Sequence, residues 1–454
     1  MKAIPSLKIS ISGVRGIVGD SLTPGLLVRF AESFGTYLGL GSTVVVGRDT
    51  RTSGEMVQHA VLAGLVSAGC RVVLLDICPV PTIQLAVRQL GAGGGIAITA
   101  SHNPVEWNAL KFVRGDGCFL NYYQARELLD IYHQGDYAKV YSEAMTRPRH
   151  CGHAVENHIN AILDRFGKLP KRGRRLKAVV DCVNGAGSVM SEELLKRLGC
   201  DVVAIYNKPD GIFPRKPEPV PENLTALCEA VRRHDADVGF AQDADADRLA
   251  IVSEKGLPIG EDYTLAIAVD HILTSEPGTV VVNLSSTHAI DDIVAAHDCR
   301  IVKSKIGEIN VVETMKSEDA VIGGEGNGGV IYPKVNFARD SFTGMAITLH
   351  YMSERRKPLS KLAAALPQYQ MTKSTIPCPL QRAQEVVELL IEKHKSKKLN
   401  LADGVKIPYG RSWALVRPSN TEPILRVITE APTAEESARL NRDIAAAVRK
   451  FLES

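Results

Sequence analysis

Three aspartates, Asp243, Asp245 and Asp247, are separated only by alanines and are followed by Arg248. At alternate positions of an extended segment their side chains point to the same side. Two ionised carboxylates roughly 6 Å apart repel by about 3 kcal/mol at an effective dielectric of about 20, and a divalent cation reverses the sign of that interaction. Because the ligands are hard oxygens without Cys or His, the segment predicts a site for Mg²⁺, Mn²⁺ or Ca²⁺ rather than for zinc.

Two other interpretations fit the same aspartates. An EF-hand loop has this spacing and would end at Glu254, but its sixth position needs a glycine, where Arg248 stands, and residues 249–252 are expected to form a strand. A solvated acidic turn is the plainer alternative. Apolar runs enter and leave the segment, which favours a site loop at the end of a strand.

The composition is that of an ordinary globular protein. The chain has 454 residues, of which 45% are hydrophobic and 23% are charged, a length that suits roughly three or four domains. No apolar run reaches membrane-spanning length, and Met1 to Gly16 lack the apolar core of a signal peptide, so we expect a cytoplasmic location. The nine cysteines are scattered without a C-x-x-C pair and are expected to be reduced, mostly buried thiols.

The charge pattern gives little reason to expect nucleic acid as a partner. The formal net charge is only +3. Basic runs occur at Lys171–Lys177 and Lys393–Lys398, but neither is interleaved with aromatic residues. Both runs are therefore interpreted as solvated loops or helix ends.

Three consecutive units share one coarse order of strands and helices, and each ends in a polar or glycine-rich loop. These loops are residues 99–104, residues 243–248 (the aspartate loop) and residues 323–329, the last after a strand predicted over Ala320–Ile322. Because ligands collect at the carboxyl ends of strands in α/β sheets, we expect one shared cleft. From Tyr369 the pattern becomes strand, helix, two strands and a terminal helix over Ala434–Phe451, an α+β arrangement. Other predicted strands include Thr43–Val46, Gly95–Ile98, Lys177–Asp181, Asp201–Ile205 and Asp237–Phe240.

Ser101 is a candidate phosphoryl acceptor and donor, because it follows a predicted strand in a sharp polar turn beside His102 and Asn103. Phosphoryl transfer requires in-line positioning, a cation to offset charge on the moving oxygens, and a group that exchanges the hydroxyl proton. Lys111 or His102 meets the last requirement. Taken alone, Ser-His-Asn-Pro is more simply an Asx or helix-capping turn, and no G-x-S-x-G elbow supports a Ser-His-Asp hydrolase.

A phosphate site is predicted in the C-terminal part of the chain. Residues 417–423 read Arg-Pro-Ser-Asn-Thr-Glu-Pro, and Arg426 follows three residues later. Two hydroxyls, an amide, loop N–H groups and two guanidinium groups supply what a phosphate dianion needs.

The glycine-rich segment 323–329 does not open a helix, so a dinucleotide site is not expected there.

Taken in order, these loops resemble the α-D-phosphohexomutase superfamily over essentially the whole chain. The motifs are specific together, although each alone is weak evidence; they are Ser12–Gly16, Gly47–Arg51, Thr99–Pro104, the aspartate loop, Gly324-Glu325 and Arg417–Pro423. The resemblance implies an α/β fold of three similar mixed α/β domains plus a C-terminal α+β domain around a central cleft. The expected domains are residues 1–152 (phosphoserine), 153–255 (metal), 256–367 (sugar) and 368–454 (phosphate).

The resemblance also implies a reaction. A phosphorylated Ser101 gives its phosphate to a hexose phosphate, and the bisphosphorylated sugar then turns over and returns its other phosphate to the serine. Mg²⁺ would be held by Asp243, Asp245, Asp247 and an oxygen of phospho-Ser101. A hexose 1,6-bisphosphate is the expected activator.

Further roles are carried over position by position. Lys111 is the first choice for the group that exchanges the hydroxyl proton. A hinge is expected near Leu366 to Met371, where a proline breaks a helical run. The other implied catalytic residues are Arg15, His102 and Arg248. The implied substrate-binding residues are Glu325, Asn327, Arg417, Ser419, Asn420, Thr421 and Arg426.

The chain departs from the usual pattern of the family at two places. Many family members place Ser-Gly-His after the glutamate, whereas this chain has Gly326-Asn327-Gly328-Gly329, which leaves more acid and base chemistry to Lys111 or His102. Lys305 to Glu308 stand where mannose and glucose mutases usually carry a histidine. The Gly-Glu-Gly-Asn-Gly-Gly version of residues 324–329, with Arg-Pro-Ser-Asn-Thr-Glu-Pro later in the chain, resembles phosphoglucosamine mutases of a subgroup also found in archaea. Interconversion of glucosamine 6-phosphate and glucosamine 1-phosphate is therefore expected. A phosphomannomutase or phosphoglucomutase is the alternative.

Two other classes of protein explain fewer of these features. A metal-dependent sugar phosphatase would leave the serine turn and the phosphate loop unexplained, and a non-catalytic sugar-phosphate sensor would not need both Ser101 and the three aspartates. We therefore expect an isomerase, acting as a monomer or homodimer on a small hexose phosphate, with neither nucleic acid nor membrane as a partner.

Overall fold

The structure is a computed structural model that describes residues 6–10, 13–170, 174–419 and 423–453. The chain forms two compact units, Met1–Thr264 with Asn327–Leu362, and Leu265–Gly326 with Ala363–Ser454. In the described part of the chain, no helix combines the length and apolar character that crossing a membrane requires.

The first sheet has seven strands in the order β1-β2-β6-β5-β3-β4-β7. Its central strands β3, β4 and β5 run parallel, and β6 returns antiparallel to β5. Helices cover the sheet, which explains why the parallel strands are continuous apolar runs. The strands are β1 (Lys8–Ser10), β2 (Gly13–Ile17), β3 (Thr43–Arg48), β4 (Arg71–Ile77), β5 (Gly94–Ile98), β6 (Trp107–Arg114) and β7 (Arg149–His150), and the helices are α1 (Pro24–Leu38), α2 (Gly54–Ser67), α3 (Val80–Gln89) and α4 (Tyr122–Gln134).

The second sheet has the order β11-β10-β8-β9. Its first three strands in sequence are parallel, and β11 pairs antiparallel with β10, so the connection between them is a tight loop. The elements are α5 (Ala154–Phe166), β8 (Lys177–Asp181), α6 (Ser191–Leu198), β9 (Asp201–Ile205), α7 (Thr225–Arg233), β10 (Val238–Gln242) and β11 (Leu249–Ser253). The predicted bounds of β8 and β9 agree with the structure.

In the second unit, a central strand pairs in parallel with a neighbour on either side, β12 with β13 and β14. The elements here are α8 (Glu261–Ser275), β12 (Val280–Asn283), α9 (His288–Ala296), β13 (Ile301–Ser304), α10 (Glu308–Ser317) and β14 (Ile322–Glu325). The first unit resumes with β15 (Gly329–Ile331), α11 (Ser341–Arg355) and α12 (Leu359–Ala365).

The glycines after Ile322 belong to a strand, not to a loop as predicted. Gly323 and Gly324 pair with Val281 and Val282 of β12. A Cβ added at Gly323 would lie 2.4 Å from Val281 O, so the close pairing of the two strands requires glycine at this position. The predicted loop therefore begins only after Glu325.

The C-terminal part forms an antiparallel sheet in the order β16-β19-β18-β17. Two helices pack on it and bury a separate apolar core. Its elements are β16 (Gln370–Pro377), α13 (Leu380–Lys393), β17 (Val405–Tyr409), β18 (Ser412–Pro418), β19 (Ile424–Ala431) and α14 (Ala434–Glu453). The α+β expectation for this part is confirmed, as is the α/β class of the preceding sheets.

All nine cysteines lie among the described residues, and none of them forms a disulfide. Seven are buried. Burial raises the pKa of Cys70 to about 11 and that of Cys200 to about 12. The expectation that most of the thiols are buried is confirmed.

A buried polar network joins three helices of the first unit. Asp340 caps α11 by accepting a hydrogen bond from Phe342 N at 3.0 Å, and its other oxygen lies 3.0 Å from His158 Nε2 on α5. His158 Nδ1 lies 2.8 Å from the hydroxyl of Thr82 on α3. The beginning of α11 is therefore fixed against two other helices, with its first residues beside the aspartate loop.

Gly328 is a position where the structure requires glycine. It has φ +83°, and an added Cβ would lie 2.3 Å from Leu249 O. We expect Gly328→Ala to combine left-handed strain of about 1–2 kcal/mol with an overlap that costs about 1–3 kcal/mol. The control Gly91→Ala carries only the strain, because Gly91 has φ +56° and no atom within 4 Å of its Cβ position. Thermal unfolding should show a lower midpoint for Gly328→Ala than for Gly91→Ala, and equal midpoints would contradict the close approach to Leu249.

Candidate active site

The aspartate loop, residues 243–248, connects β10 to β11, and its carboxylates point into the protein. Asp243, Asp245 and Asp247 are all completely buried. One carboxylate oxygen of each lies within 4.8 Å of the others. The three predicted metal ligands therefore converge on one point.

Backbone contacts from distant segments fix the shape of this loop. Ala246 has φ +58°, a conformation that is uncommon for a residue with a side chain. Such strain persists where the surroundings over-determine the backbone. The supporting hydrogen bonds are Ala186 N to Ala244 O at 2.8 Å, Val80 N to Asp245 O at 3.1 Å and Ser341 Oγ to Ala246 O at 2.6 Å.

Ser101 lies in the turn between β5 and β6, directly against the aspartate loop. Its hydroxyl donates a hydrogen bond to Asp243 Oδ2 at 2.7 Å. Its backbone has φ +50° and is held by Thr99, whose hydroxyl accepts a hydrogen bond from Ser101 N at 2.9 Å. The structure thus brings together the predicted nucleophile and the predicted metal ligands.

Positively charged side chains lie close to the aspartates, and one of them, Arg248, has its Nε 3.9 Å from Asp247 Oδ1. Lys111 Nζ lies 2.7 Å from Asp245 Oδ2 and 4.0 Å from Asp247 Oδ2. Arg339 Nη2 lies 2.5 Å from Asp247 Oδ2. Lys111 was a predicted site residue, but Arg339 was not. The one local signal for it is its place before Asp340 and Ser341, which precede an apolar helical run and so mark the beginning of α11.

Burial and charge act in opposite directions on these groups. Burial and the negative charges of Asp245 and Asp247 raise the pKa of Asp243 well above its usual range. Burial also disfavours ionisation of Asp245, but the positive charge of Lys111, hydrogen bonds from Asp243 and Lys111, and the positive charge of Arg339 together outweigh it and lower the pKa of Asp245 to about 2. Burial would lower the pKa of Lys111, but the charges of Asp245 and Asp247 outweigh it, so that this pKa is raised. Further positive charge would favour ionisation of Asp243.

The donor set fits a hard divalent cation. Asp245 Oδ1 and Asp247 Oδ1 are buried and have no hydrogen-bond partner among the described residues. A buried carboxylate oxygen without a partner is costly, and a coordinated metal ion removes that cost. Three carboxylates and a seryl oxygen are all oxygen ligands, the type that Mg²⁺ prefers.

The remaining predicted catalytic residues surround the serine turn. Arg15 Nη1 donates a hydrogen bond to Asn103 Oδ1 at 2.8 Å. His102 Nδ1 lies 3.4 Å from Ser101 Oγ, and burial together with the positive charge of Arg248 lowers the pKa of His102 to about 2. Arg248 Nη1 in turn lies 3.3 Å from Glu218 Oε1. Two guanidinium groups therefore lie close to the predicted transfer site.

Arg51 is a buried residue of this site to which the sequence analysis assigned no role. It lies in the Gly47–Arg51 motif and is only 1% exposed. Its guanidinium donates five hydrogen bonds to the turn and to the carboxylate of Asp49. The acceptors are Ser101 O at 2.6 Å, Asn103 O at 2.8 Å, Pro104 O at 2.5 Å, Trp107 O at 3.2 Å and Asp49 Oδ2 at 2.9 Å. Arg51 therefore holds the conformation of the serine turn.

The second compact unit carries most of the predicted substrate-binding residues. Glu325 ends β14 and is 3% exposed. Its Oε1 accepts hydrogen bonds from Asn283 Nδ2 and from Gly307 N, both at 2.8 Å. Asn327 belongs to the first unit, where its Oδ1 is buried without a hydrogen-bond partner among the described residues.

The predicted phosphate loop joins β18 to β19. Arg417 and Arg426 are directly opposite each other in this strand pair, so that two guanidinium groups flank the loop. Ser419 N donates a hydrogen bond to Ile424 O at 2.9 Å across its base. Asn420 and Thr421, which were also predicted to bind phosphate, lie outside the described residues.

Models of the four domains of one family match consecutive parts of the chain. They are described as phosphoglucomutase/phosphomannomutase α/β/α domains I, II and III and the C-terminal domain. Their matches cover residues 7–139, 156–256, 260–369 and 376–447.

The chain belongs to the phosphoglucomutase/phosphomannomutase family. It is therefore a phosphohexomutase and an isomerase, as the motifs predicted. A probable phosphoglucosamine mutase of Methanopyrus kandleri is 37% identical to it over 97% of this chain and 98% of the relative. A phosphoglucomutase/phosphomannomutase of Thermococcus kodakarensis is also 37% identical, over 94% of this chain and 95% of the relative.

Solved structures agree with this assignment. The crystal structure of a phosphoglucomutase/phosphomannomutase family protein from Burkholderia thailandensis is similar to this phosphohexomutase with a TM-score of 0.86. The two chains are 26% identical, and the match covers 97% of this chain and 98% of the other. The similarity therefore extends over the whole fold.

We expect Arg51→Lys to loosen the serine turn of this phosphohexomutase, because an ammonium cannot reproduce the fork of hydrogen bonds that a guanidinium makes. Amide hydrogen exchange of residues 99–107 should be faster than in the wild type. Mutase turnover should fall at least about tenfold, since small misplacements of reacting groups are costly. The control is Arg71→Lys, because Arg71 is exposed and donates to one carbonyl, Gly41 O at 2.9 Å. Equal exchange and turnover in the two variants would show that Arg51 does not hold the turn.

Proposed function

We propose that this phosphohexomutase interconverts glucosamine 6-phosphate and glucosamine 1-phosphate through a phosphoserine at Ser101. The observation that carries the proposal is the 2.7 Å hydrogen bond from Ser101 Oγ to Asp243, beside two further buried aspartates. A hydroxyl at the edge of a carboxylate cluster with unsatisfied oxygens suits a phosphoryl group whose oxygens share a cation with those carboxylates. A metal-dependent phosphatase would not need this serine.

The proposed metal is Mg²⁺, with Asp243, Asp245, Asp247 and an oxygen of Ser101 as its ligands. When bound, the ion supplies positive charge that offsets the charge on the phosphoryl oxygens. Asp245 Oδ1 and Asp247 Oδ1, which are buried and have no hydrogen-bond partner among the described residues, support this ligand set.

In the proposed reaction, the bond between Ser101 Oγ and phosphorus breaks as a hydroxyl oxygen of the hexose phosphate bonds to phosphorus; that hydroxyl loses its proton, and Ser101 Oγ gains one. The hexose 1,6-bisphosphate then presents its other end, and the second phosphoryl group returns to Ser101. Lys111 is the proposed proton carrier, because its ammonium contacts the aspartate cluster at 2.7 Å. Arg15 and Arg248 are proposed to bind the phosphoryl oxygens, and His102 is retained as a second candidate for proton transfer.

Binding of the sugar is proposed for the loops of the second unit. Glu325 would accept hydrogen bonds from sugar hydroxyls. Asn327, two residues later in the sequence, is proposed as a further substrate-binding residue. The phosphate that is not transferred would bind the loop after β18, where Arg417 and Arg426 lie opposite each other in the sheet. The other proposed ligands of that phosphate are Ser419, Asn420 and Thr421.

The proposed sugar rests on the sequence of the glutamate loop and on the names of relatives. The relative from Methanopyrus kandleri is named a probable phosphoglucosamine mutase. The alternative is a phosphomannomutase or phosphoglucomutase, which the name of the Thermococcus kodakarensis relative favours at the same identity.

The remaining expectations are kept as part of the proposal. The domain boundaries are 1–152, 153–255, 256–367 and 368–454, and the assembly is a monomer or homodimer. The nine cysteines without disulfides support a reducing location such as the cytoplasm.

The central test is a side-by-side assay with the 1-phosphates of glucosamine, mannose and glucose, in the presence of Mg²⁺ and a catalytic amount of glucose 1,6-bisphosphate. We expect the highest kcat/KM with glucosamine 1-phosphate and stimulation by the bisphosphate. Ser101→Ala should lower turnover at least about a thousandfold, because it removes the proposed nucleophile. Ser142→Ala, at an exposed position, is the control.

Each contrary result of this assay has a distinct meaning. Near-normal turnover in Ser101→Ala would remove the phosphoserine from the proposal. Steady release of inorganic phosphate would indicate the phosphatase. A preference for mannose or glucose would establish the alternative substrate while the mechanism stands.

We expect Asp245→Asn to weaken Mg²⁺ binding at least about tenfold, because it removes one anionic ligand from a small set. Calorimetric titration of the purified protein with Mg²⁺ measures this without reference to turnover. Asp130→Asn is the matched control, since Asp130 is exposed on α4. An unchanged Mg²⁺ affinity in Asp245→Asn would contradict the ligand assignment.

A further inference from the structure

Asp403 holds two segments of the second unit with one carboxylate. It lies in the turn before β17, and its side chain is 17% exposed. Its Oδ1 accepts a hydrogen bond from Arg417 Nε at 3.0 Å. Its Oδ2 accepts a hydrogen bond from Ile306 N at 3.1 Å. The arginine of the proposed phosphate loop and the backbone of residues 305–307 are therefore tied to the same side chain.

The turn that carries Asp403 is built for a close approach to Arg417. Gly404 has φ +75°, and an added Cβ would lie 2.3 Å from Val416 O and 2.8 Å from Arg417 Cα. Only glycine fits such a position. The backbone next to Asp403 therefore lies against the strand of Arg417, which fixes the carboxylate relative to the guanidinium.

The contact at Ile306 leads to the proposed sugar-binding residue. The next amide along the chain, Gly307 N, donates to Glu325 Oε1 at 2.8 Å. A continuous series of hydrogen bonds thus runs from Arg417 through Asp403 and residues 306–307 to Glu325. The groups proposed to hold the phosphate and the sugar are connected within one compact unit.

An arginine held in this way is oriented before its ligand arrives. Arg417 donates its Nε–H to Asp403, and this hydrogen bond fixes the plane of the guanidinium. Because the guanidinium is rigid, its two terminal amino groups are oriented as well. Fixing a long side chain in advance reduces the entropy that ligand binding must overcome. A carboxylate close to a phosphate site would otherwise only repel the ligand, so its value there lies in this orientation.

We propose that Asp403 is a positioning residue that orients Arg417 for the non-transferred phosphate and, through the amides of Ile306 and Gly307, sets the position of Glu325. This inference rests on the proposed function, since it assumes that Arg417 binds phosphate. The carboxylate of Asp403 would thus set the position of the phosphate-binding group relative to the sugar-binding group.

The test uses Asp403→Asn in the full-length enzyme. Asparagine is isosteric but offers one acceptor and one donor, so either Ile306 N–H or Arg417 Nε–H meets another donor. We expect KM for the preferred hexose phosphate to rise about tenfold, with kcat within about twofold of the wild type. In an Arg417→Ala background the same change should add less than about twofold, because the two residues act as one unit. Asp443→Asn, at an exposed position of α14, is the matched control.

A second readout does not depend on turnover. Calorimetric binding of glucose 1,6-bisphosphate to Ser101→Ala should weaken about tenfold when Asp403→Asn is added, and amide exchange at residues 305–308 should become faster. An unchanged KM and bisphosphate affinity, or an equal effect of Asp403→Asn with and without Arg417, would overturn the inference. A wild-type protein that binds the bisphosphate but turns over no hexose phosphate would instead refute the proposed function, while the binding data would still decide the role of Asp403.

Discussion

Repulsion among three buried carboxylates is the constraint on which the rest of this structure depends. Asp243, Asp245 and Asp247 place oxygens within 4.8 Å of one another and away from water. At such a distance, two ionised carboxylates repel by about 3.5 kcal/mol or more at an effective dielectric of about 20. Lys111 and Arg339 offset part of this repulsion by direct contact. Among the described residues, two of the carboxylate oxygens still have no hydrogen-bond partner. The groups that disfavour folding are thus the groups that suit a divalent cation.

The loops at this centre have strained backbones, and distant segments stabilise them. Ser101 and Ala246 both have left-handed conformations, which cost about 1–3 kcal/mol each. Arg51 stabilises the serine turn by donating to four of its carbonyls, and Ser341 supports the aspartate loop from the beginning of α11. Rigid loops suit phosphoryl transfer, because that reaction depends on positioning and electrostatics more than on covalent chemistry by the protein.

Features with a local cause were predictable from the sequence. The bounds of β8 and β9 were predicted to the residue, since each is a short apolar run between turn signals. The alternate spacing of the aspartates likewise predicted that their carboxylates share a side. The prediction ended the third unit's last strand at Ile322, whereas the structure has a strand over Ile322–Glu325. The prediction missed residues 323–325 because their pairing with β12, which the glycines permit, is not a local property of the sequence. Arg51 and Arg339 were missed because each contacts atoms that are distant along the chain.

The sequence by itself determined which chemical groups are present, the order of strands and helices, and the family to which the chain belongs. Only the tertiary structure decided which groups meet: the Ser101 hydroxyl with Asp243, 142 positions away, and Asp403 with both Arg417 and the backbone of Ile306. The physical reason is that periodicity and spacing are properties of neighbouring residues. A buried charge or amide, by contrast, is satisfied by whichever partner the folded chain brings within hydrogen-bond distance.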